Sequence, residues 1–223
     1  MREFSQMTDY TARRTVMVDT QIRPSDVTEF PIIDAMLRVP REVFVPRELR
    51  EAAYVGENLD LGGQRVMLAP RTLAKMLDAL DLEGDDLVLD IGCGHGYAAA
   101  VIARLAEAVV AMESEPEMAA EAQTALAEVG ADSVVVHQGK LTDGAPEHGP
   151  YDAIIVEGGV EHLPPAIPDQ LKDGGRIVCL FQEGVLGVVR LGFKFDGHLS
   201  WRFAFNAGAP VLPGFEKHRS FAL

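Results

Sequence analysis

Positive charge is scarce in this 223-residue chain: 20 Lys and Arg stand against 34 Asp and Glu, a formal net charge of −14 at pH 7. A surface of that sign repels phosphate, so nucleic acid and anionic membranes are excluded as expected partners. Cysteine is nearly absent. Cys93 and Cys179 cannot build a disulfide framework in a chain this long, and their apolar or glycine-rich surroundings suit reduced thiols, so a cytoplasmic location is expected. Long apolar runs are missing as well: the longest stretches free of Asp, Glu, Lys and Arg, 91–103 and 203–215, have 13 residues each. A bilayer span needs roughly 20. The first 14 residues place polar and acidic side chains where a secretory signal would have its apolar segment. What remains, 48% hydrophobic and 24% charged residues, is the composition of a soluble globular protein with a sizeable core.

Charge divides the chain. Through residue 75 there are eleven basic and eleven acidic residues, and beyond it nine basic and 23 acidic. We therefore expect an N-terminal helical extension with a substrate-side loop over 1–75 and an acidic core domain over 76–223. In the first part, the spacing predicts a short helix from Phe30 ended by Val39-Pro40, and another after Pro46. Gly56 to Val66 reads as a loop, and Pro70 opens a helix that Gly84 closes. Strands then alternate with helices: Leu87–Ile91, Tyr97–Glu107 (helix), Ala108–Met112, Pro116–Val129 (helix), Ser133–His137, Tyr151–Val156, Pro165–Leu171 (helix) and Gly175–Phe181. That alternation predicts an α/β fold, a doubly wound and mainly parallel sheet. Asp196-Gly197, between two apolar runs, predicts an antiparallel C-terminal hairpin whose Trp201, Phe203 and Phe205 face the core.

Asp90-Ile91-Gly92-Cys93-Gly94-His95-Gly96-Tyr97 carries the most chemistry. A buried strand runs into closely spaced glycines and then a helix, so backbone can approach a nucleotide-type cofactor. A dinucleotide fingerprint would want Gly or Ala where Tyr97 stands, and rarely has an acid where Asp90 does. The motif resembles the first motif of S-adenosylmethionine-dependent methyltransferases, whose cofactor is cationic at its sulfonium and ammonium groups and so favours a carboxylate. Glu113, after the next strand, can accept both ribose hydroxyls. His95 has no partner at metal-ligand spacing, so no metal is expected, and Cys93 reads as a small space filler.

The segments Val39-Pro40-Arg41-Glu42-Val43-Phe44-Val45-Pro46, Gly62-Gly63-Gln64, Ala69-Pro70, Leu89 to Tyr97, Tyr151 to Val156 and Leu171 to Arg176 together resemble protein-L-isoaspartate O-methyltransferases, in that order, from about Val18 to about Leu180. The resemblance implies the class I S-adenosylmethionine-dependent methyltransferase fold, S-adenosyl-L-methionine as cofactor, and methylation of the isoaspartyl carboxylate of damaged proteins. It places the cofactor on Asp90, Gly92, Cys93, Gly94, His95, Gly96, Glu113, Lys140 and Leu141. It also implies that the segment Gly208 to Phe215 folds over the acceptor site.

Two departures stand out. Where the family has a Thr-Ile-Ser run, this chain has Val66-Met67-Leu68, so Val66 and Leu68 occupy the hydroxyl positions. Where it tends to have Gly-Asp-Gly for the adenine amine, this chain has Gly139-Lys140-Leu141, and a protonated Lys140 cannot accept that hydrogen bond. Glu157, Glu161 and His162, beyond the strand ending at Val156, are the candidate catalytic residues; two carboxylates there are awkward for an anionic acceptor, whereas an amine or hydroxyl acceptor could lose its proton to one of them. The readings kept are therefore an isoaspartyl peptide or protein as acceptor, a small-molecule amine or hydroxyl acceptor, or a cofactor-binding protein with little isoaspartyl activity, as monomer or homodimer.

Overall fold

The computed structural model describes residues 9–184 and 186–217. Two helices, α1 (Tyr10–Met17) and α2 (Phe30–Arg38), are joined by a π turn over Val18–Ile22 and lie against the main body. Asp9 caps α1 by accepting from the Ala12 amide at 3.0 Å. Single 3₁₀ turns follow at Arg41–Phe44 and Arg47–Ala52.

The stretch expected to be a loop, Gly56 to Val66, contains a hairpin: β1 (Leu59–Gly62) pairs antiparallel with β2 (Arg65–Met67). Its turn is built on positive φ at Gly62, Gly63 and Gln64, and the weak alternation of so short a pair hid it. α3 (Pro70–Leu80) starts on proline as expected, but ends at a left-handed Asp81 before reaching Gly84.

Seven strands form the main sheet: β3 (Leu87–Ile91), β4 (Ala108–Glu113), β5 (Val134–Gln138), β6 (Tyr151–Val160), β7 (Leu171–Glu183), β8 (Leu186–Phe195) and β9 (His198–Asn206), in the order β5-β4-β3-β6-β7-β8-β9. The first five in that order are parallel and the last two antiparallel, so the predicted doubly wound sheet and its terminal hairpin both stand. α4 (Tyr97–Ile102) and α5 (Pro116–Glu128) are crossover helices; α4 and α6 (Ala166–Asp169) are shorter than their apolar spacing predicts. The hairpin turns on Asp196 and Gly197, both at positive φ. On β9, Trp201 packs edge-on against Phe181 at 5.0 Å, whereas Phe203, expected in the core, is 63% exposed.

One apolar core joins Met17, Ile22, Met36 and Phe44 from the first part of the chain to Val88, Ala99, Ile155 and Leu180 around the sheet. The chain winds β3→β4→β5 to one side and returns through β6 on the other side of β3. The switch point of this sheet is therefore between β3 and β6, the place where open α/β sheets take their ligands.

Candidate active site

Asp90 and Glu157 stand on the two strands that flank the switch point. Asp90 is in β3, in register with Ile155 of β6, and its carboxylate is fully buried with neither oxygen hydrogen-bonded. Glu157 was expected in a loop, but β6 runs on through it to Val160 and buries it to 4% exposure. The strand has three residues between Ile155 and Gly159 where β7 has one, a bulge that re-aims the Glu157 side chain, whose Oε1 has no partner. Burial pushes the Asp90 carboxyl up to about 7, with Glu157 beside it lowering and the charge of Glu113 raising it. Burial first, and then the Asp90 charge, hold the Glu157 carboxyl well above the usual carboxylate range. The two acids thus share protons near neutral pH rather than carry two charges.

The glycine loop joins β3 to α4 directly below this pair. Gly92, Gly94 and Gly96 all have positive φ, and the Gly92 and Cys93 amides are spent on the Met112 carbonyl at 2.9 and 3.1 Å. Burial and the neighbouring Asp90 and Glu113 charges push the Cys93 thiol up, so it stays protonated and is no nucleophile. Arg41, which the sequence did not single out, reaches the same place: fully buried, it donates to the carbonyls of Ala53 (2.6 Å) and Leu68 (2.7 Å) and stacks on the Tyr97 ring at 4.7 Å. Its Nη1 and the Tyr97 hydroxyl have no hydrogen-bond partner. His95 is turned outward onto Glu121 at 2.9 Å.

Glu113 closes β4, also fully buried. The expected acceptor of ribose hydroxyls is in place, but it is already engaged. Arg65, at 0% exposure, donates to it through Nε (3.1 and 3.2 Å) and Nη2 (3.0 Å), and the amides of Gly94, Ser114 and Glu115 add bonds of 3.1, 2.7 and 3.1 Å. Nothing in the sequence marked Arg65 beyond one cue: a lone cation between a glycine turn and an apolar run must find an acid if it is buried.

The C-terminal segment packs across the ends of β3 and β6. Gly159 receives it: its amide donates to Pro210 O at 2.7 Å, its carbonyl accepts from Leu212 N at 2.9 Å, and a Cβ added there would stand 2.8 Å from Ala209 O. Leu212 and Phe215 are fully buried, Leu212 over Gly92 and Gly158. The three candidate catalytic residues are not brought together. Glu161 accepts from the Lys217 amide at 2.8 Å, His162 is exposed, and only Glu157 lies at the switch point. Lys140 is also outside the site, its side chain 74% exposed and 3.9 Å from Asp143, while Leu141 is buried. Val66 and Leu68 are buried. On the outer edge of β5, His137, Glu147 and His148 gather with possible ligand atoms all within 4.8 Å of one another, a grouping that the sequence spacing did not suggest.

Unpartnered, buried carboxylate oxygens beside a positive-φ glycine loop fit the cationic amino-acid end of a nucleoside cofactor; at the ribose end the carboxylate fits too, once Arg65 yields. Fold and site define a Rossmann-like protein, a class that takes its ligands beyond the carboxyl ends of the strands at the switch point. The family model for protein-L-isoaspartate(D-aspartate) O-methyltransferase (PCMT) matches residues 12–192, and the chain belongs to that family. Protein-L-isoaspartate O-methyltransferase 1 of Rhodopseudomonas palustris is 42% identical over 171 residues, 77% of this chain and 70% of its own length. Protein-L-isoaspartate O-methyltransferase 2 of an Anaeromyxobacter species is 41% identical over 184 residues, 82% and 74% of the two chains. Among solved structures, a protein-L-isoaspartate O-methyltransferase superposes with TM-score 0.77 at 25% identity, covering 92% of this chain and 66% of that one. One from Plasmodium falciparum, in complex with S-adenosyl-L-homocysteine, has the same fold, with TM-score 0.77, 17% identity and 92% and 99% coverage. The family uses S-adenosylmethionine.

Proposed function

We propose that this protein transfers the methyl group of S-adenosylmethionine to the side-chain carboxylate of isoaspartyl residues in peptides and proteins. The observation that carries the reading is the pair of buried carboxyl groups, Asp90 and Glu157, set against each other with no N–H donor on either Asp90 oxygen or on Glu157 Oε1, at the switch point of a sheet whose family uses this cofactor. When bound, S-adenosylmethionine supplies an electrophilic methyl group on a sulfonium. Asp90 and Glu157 would accept from the cofactor's ammonium, the glycine loop would let the chain approach, and Glu113 would hold the ribose. Leu212 and Phe215, the buried side chains of the C-terminal segment, would keep water out of the site. An isoaspartyl carboxylate is ionised at neutral pH, so the site needs no general base, and orientation and water exclusion are what the protein contributes.

The acids near the acceptor side do not oppose an anionic substrate. Burial opposes the charge of Glu157, which once ionised would pair with the cofactor's ammonium, and Glu161 accepts from the Lys217 amide. This removes the main argument for an amine or hydroxyl acceptor, which would need a free base in that position. A cytoplasmic site of action agrees with two buried free thiols and with a described chain in which no helix is long and apolar enough to cross a membrane. The test is formation of a base-labile methyl ester on an isoaspartyl peptide. Ester on the isoaspartyl peptide and none on its aspartyl counterpart supports the reading; stable methylation of an amine refutes it.

A further inference from the structure

We propose that Arg65 is a resident occupant of the ribose-reading carboxylate, so that the nucleoside cofactor binds by exchange: the ribose diol takes the place of the guanidinium on Glu113. This rests on the cofactor assignment above and goes beyond it. A carboxylate offers about four lone-pair sites. Those of Glu113 already receive Arg65 through Nε and Nη2 and the amides of Gly94, Ser114 and Glu115, at 2.7 to 3.2 Å. No acceptor capacity is left for two hydroxyls. The three amides are fixed by the backbone of the loop and of the β4 end, so the guanidinium is the donor that can leave. Its geometry resembles the diol's: two parallel donors on one carboxylate.

Arg65 sits on an element able to move. β1 and β2 pair only with each other, apart from the seven-stranded sheet, and turn on three consecutive positive-φ residues. The same hairpin leans on the glycine loop through Leu61, whose Cδ1 would stand 2.9 Å from a Cβ added at Gly94. A landing place is also present. Beside the hairpin tip opens a cleft of about 550 Å³ lined by Leu61, Gly62 and Gly63 on one side and Glu115, Glu117 and Glu121 on the other, where a displaced guanidinium finds acids. Arg65 thereby sets how much the ribose contributes to cofactor affinity.

Titration calorimetry with S-adenosylhomocysteine and its 2′-deoxyribose analogue tests this without an acceptor, so its outcome is independent of methyl transfer. In the wild-type protein the diol gains only what the guanidinium loses, and the deoxy analogue is expected to bind within about threefold of the parent. Arg65→Met leaves Glu113 open, so the parent is expected to bind about tenfold tighter or more, and the deoxy analogue to fall behind by a similar factor, as for a hydrogen bond to a charged group. Arg65→Lys, a cation for one oxygen only, should lie between, and it decides the matter if the Met variant does not fold. Binding by the variants alone also supports the exchange. A wild-type loss of tenfold or more on removing one hydroxyl, variants no tighter than wild type, or no binding by any of the three would overturn it. Bound S-adenosylhomocysteine with no methyl transfer would instead refute the acceptor reading and leave the exchange standing.

Discussion

Asp90 and Glu157 place two carboxyl groups side by side on neighbouring strands, inside the protein, with no hydrogen bond from any N–H. Burial makes both hard to ionise, the Asp90 charge adding to it at Glu157 and the Glu113 charge at Asp90, and the pair makes the site responsive to pH.

The first prediction is a stability that falls with pH. Both carboxyls are raised in the folded state, so the folded protein holds protons that the unfolded chain releases near pH 4. Their stabilising share is complete below that pH and is lost as pH climbs through about 7, the Asp90 value. Urea unfolding at pH 5.5 and pH 8 should differ by about 2 to 4 kcal/mol in favour of the lower pH, offset in part by other groups. Asp90→Asn should flatten this dependence and stabilise the protein at pH 8; an unchanged slope would show that the pair is not the source.

Cofactor binding should run the other way. An ammonium favours the ionised pair, so affinity for S-adenosylhomocysteine should rise between pH 6 and 8 with release of a proton, seen as a binding enthalpy that depends on the buffer. Asp90→Asn should weaken binding tenfold or more and remove most of the pH dependence, and Glu157→Gln should reduce both. Equal affinity in wild type and Asp90→Asn would take the ammonium away from this pair.

How much of this was legible in the sequence depends on the range of each interaction. Strand, glycine loop and Glu113 were readable because β3, 92–96 and β4 are set by local pattern: apolar runs, positive-φ glycines and an acid at a strand end. The β1–β2 hairpin was missed because three or four residues per strand give too little alternation. Arg41 and Arg65 were invisible as site residues since their partners lie far along the chain: Leu68 is 27 residues from Arg41 and Glu113 is 48 from Arg65. In the sequence Glu157 is a candidate catalytic residue beyond a strand ending at Val156, because Gly158 and Gly159 look like a turn; they serve instead to admit the C-terminal segment.

Arg41 should be the costliest single residue to remove outside the glycine loop. It is fully buried, joins Ala53 to Leu68 through their carbonyls, and backs Tyr97. Arg41→Ala should lower stability by about 3 to 5 kcal/mol, since it leaves two buried carbonyls without donors and a cavity against the ring. Denaturant midpoints measure this, and a loss below about 1 kcal/mol would mean that the guanidinium is dispensable.

Leu212→Ala should loosen the C-terminal segment without unfolding the sheet. The side chain fills the space over Gly92 and Gly158, and its loss should destabilise that contact by about 2 to 4 kcal/mol. Hydrogen exchange should then quicken at Gly159 and Leu212, whose backbone groups bind each other at 2.9 Å, while the β3 amides keep their protection. Uniform quickening would point to global destabilisation instead.

Val66 and Leu68 stand at the positions where the family resemblance leads us to expect hydroxyls, and both are buried. Isoaspartyl turnover should therefore be slow, and Val66→Thr with Leu68→Ser should raise kcat/KM about tenfold, in line with regaining one hydrogen bond to the charged acceptor. No gain would show that the acceptor is oriented by other groups.

The most direct measurement is methyl transfer from labelled S-adenosylmethionine to a matched pair of peptides, one isoaspartyl and one aspartyl, by wild-type protein and by Asp90→Asn. The account predicts base-labile label on the isoaspartyl peptide alone, falling with Asp90→Asn. Equal labelling of both peptides, or labelling that survives intact in Asp90→Asn, would contradict it.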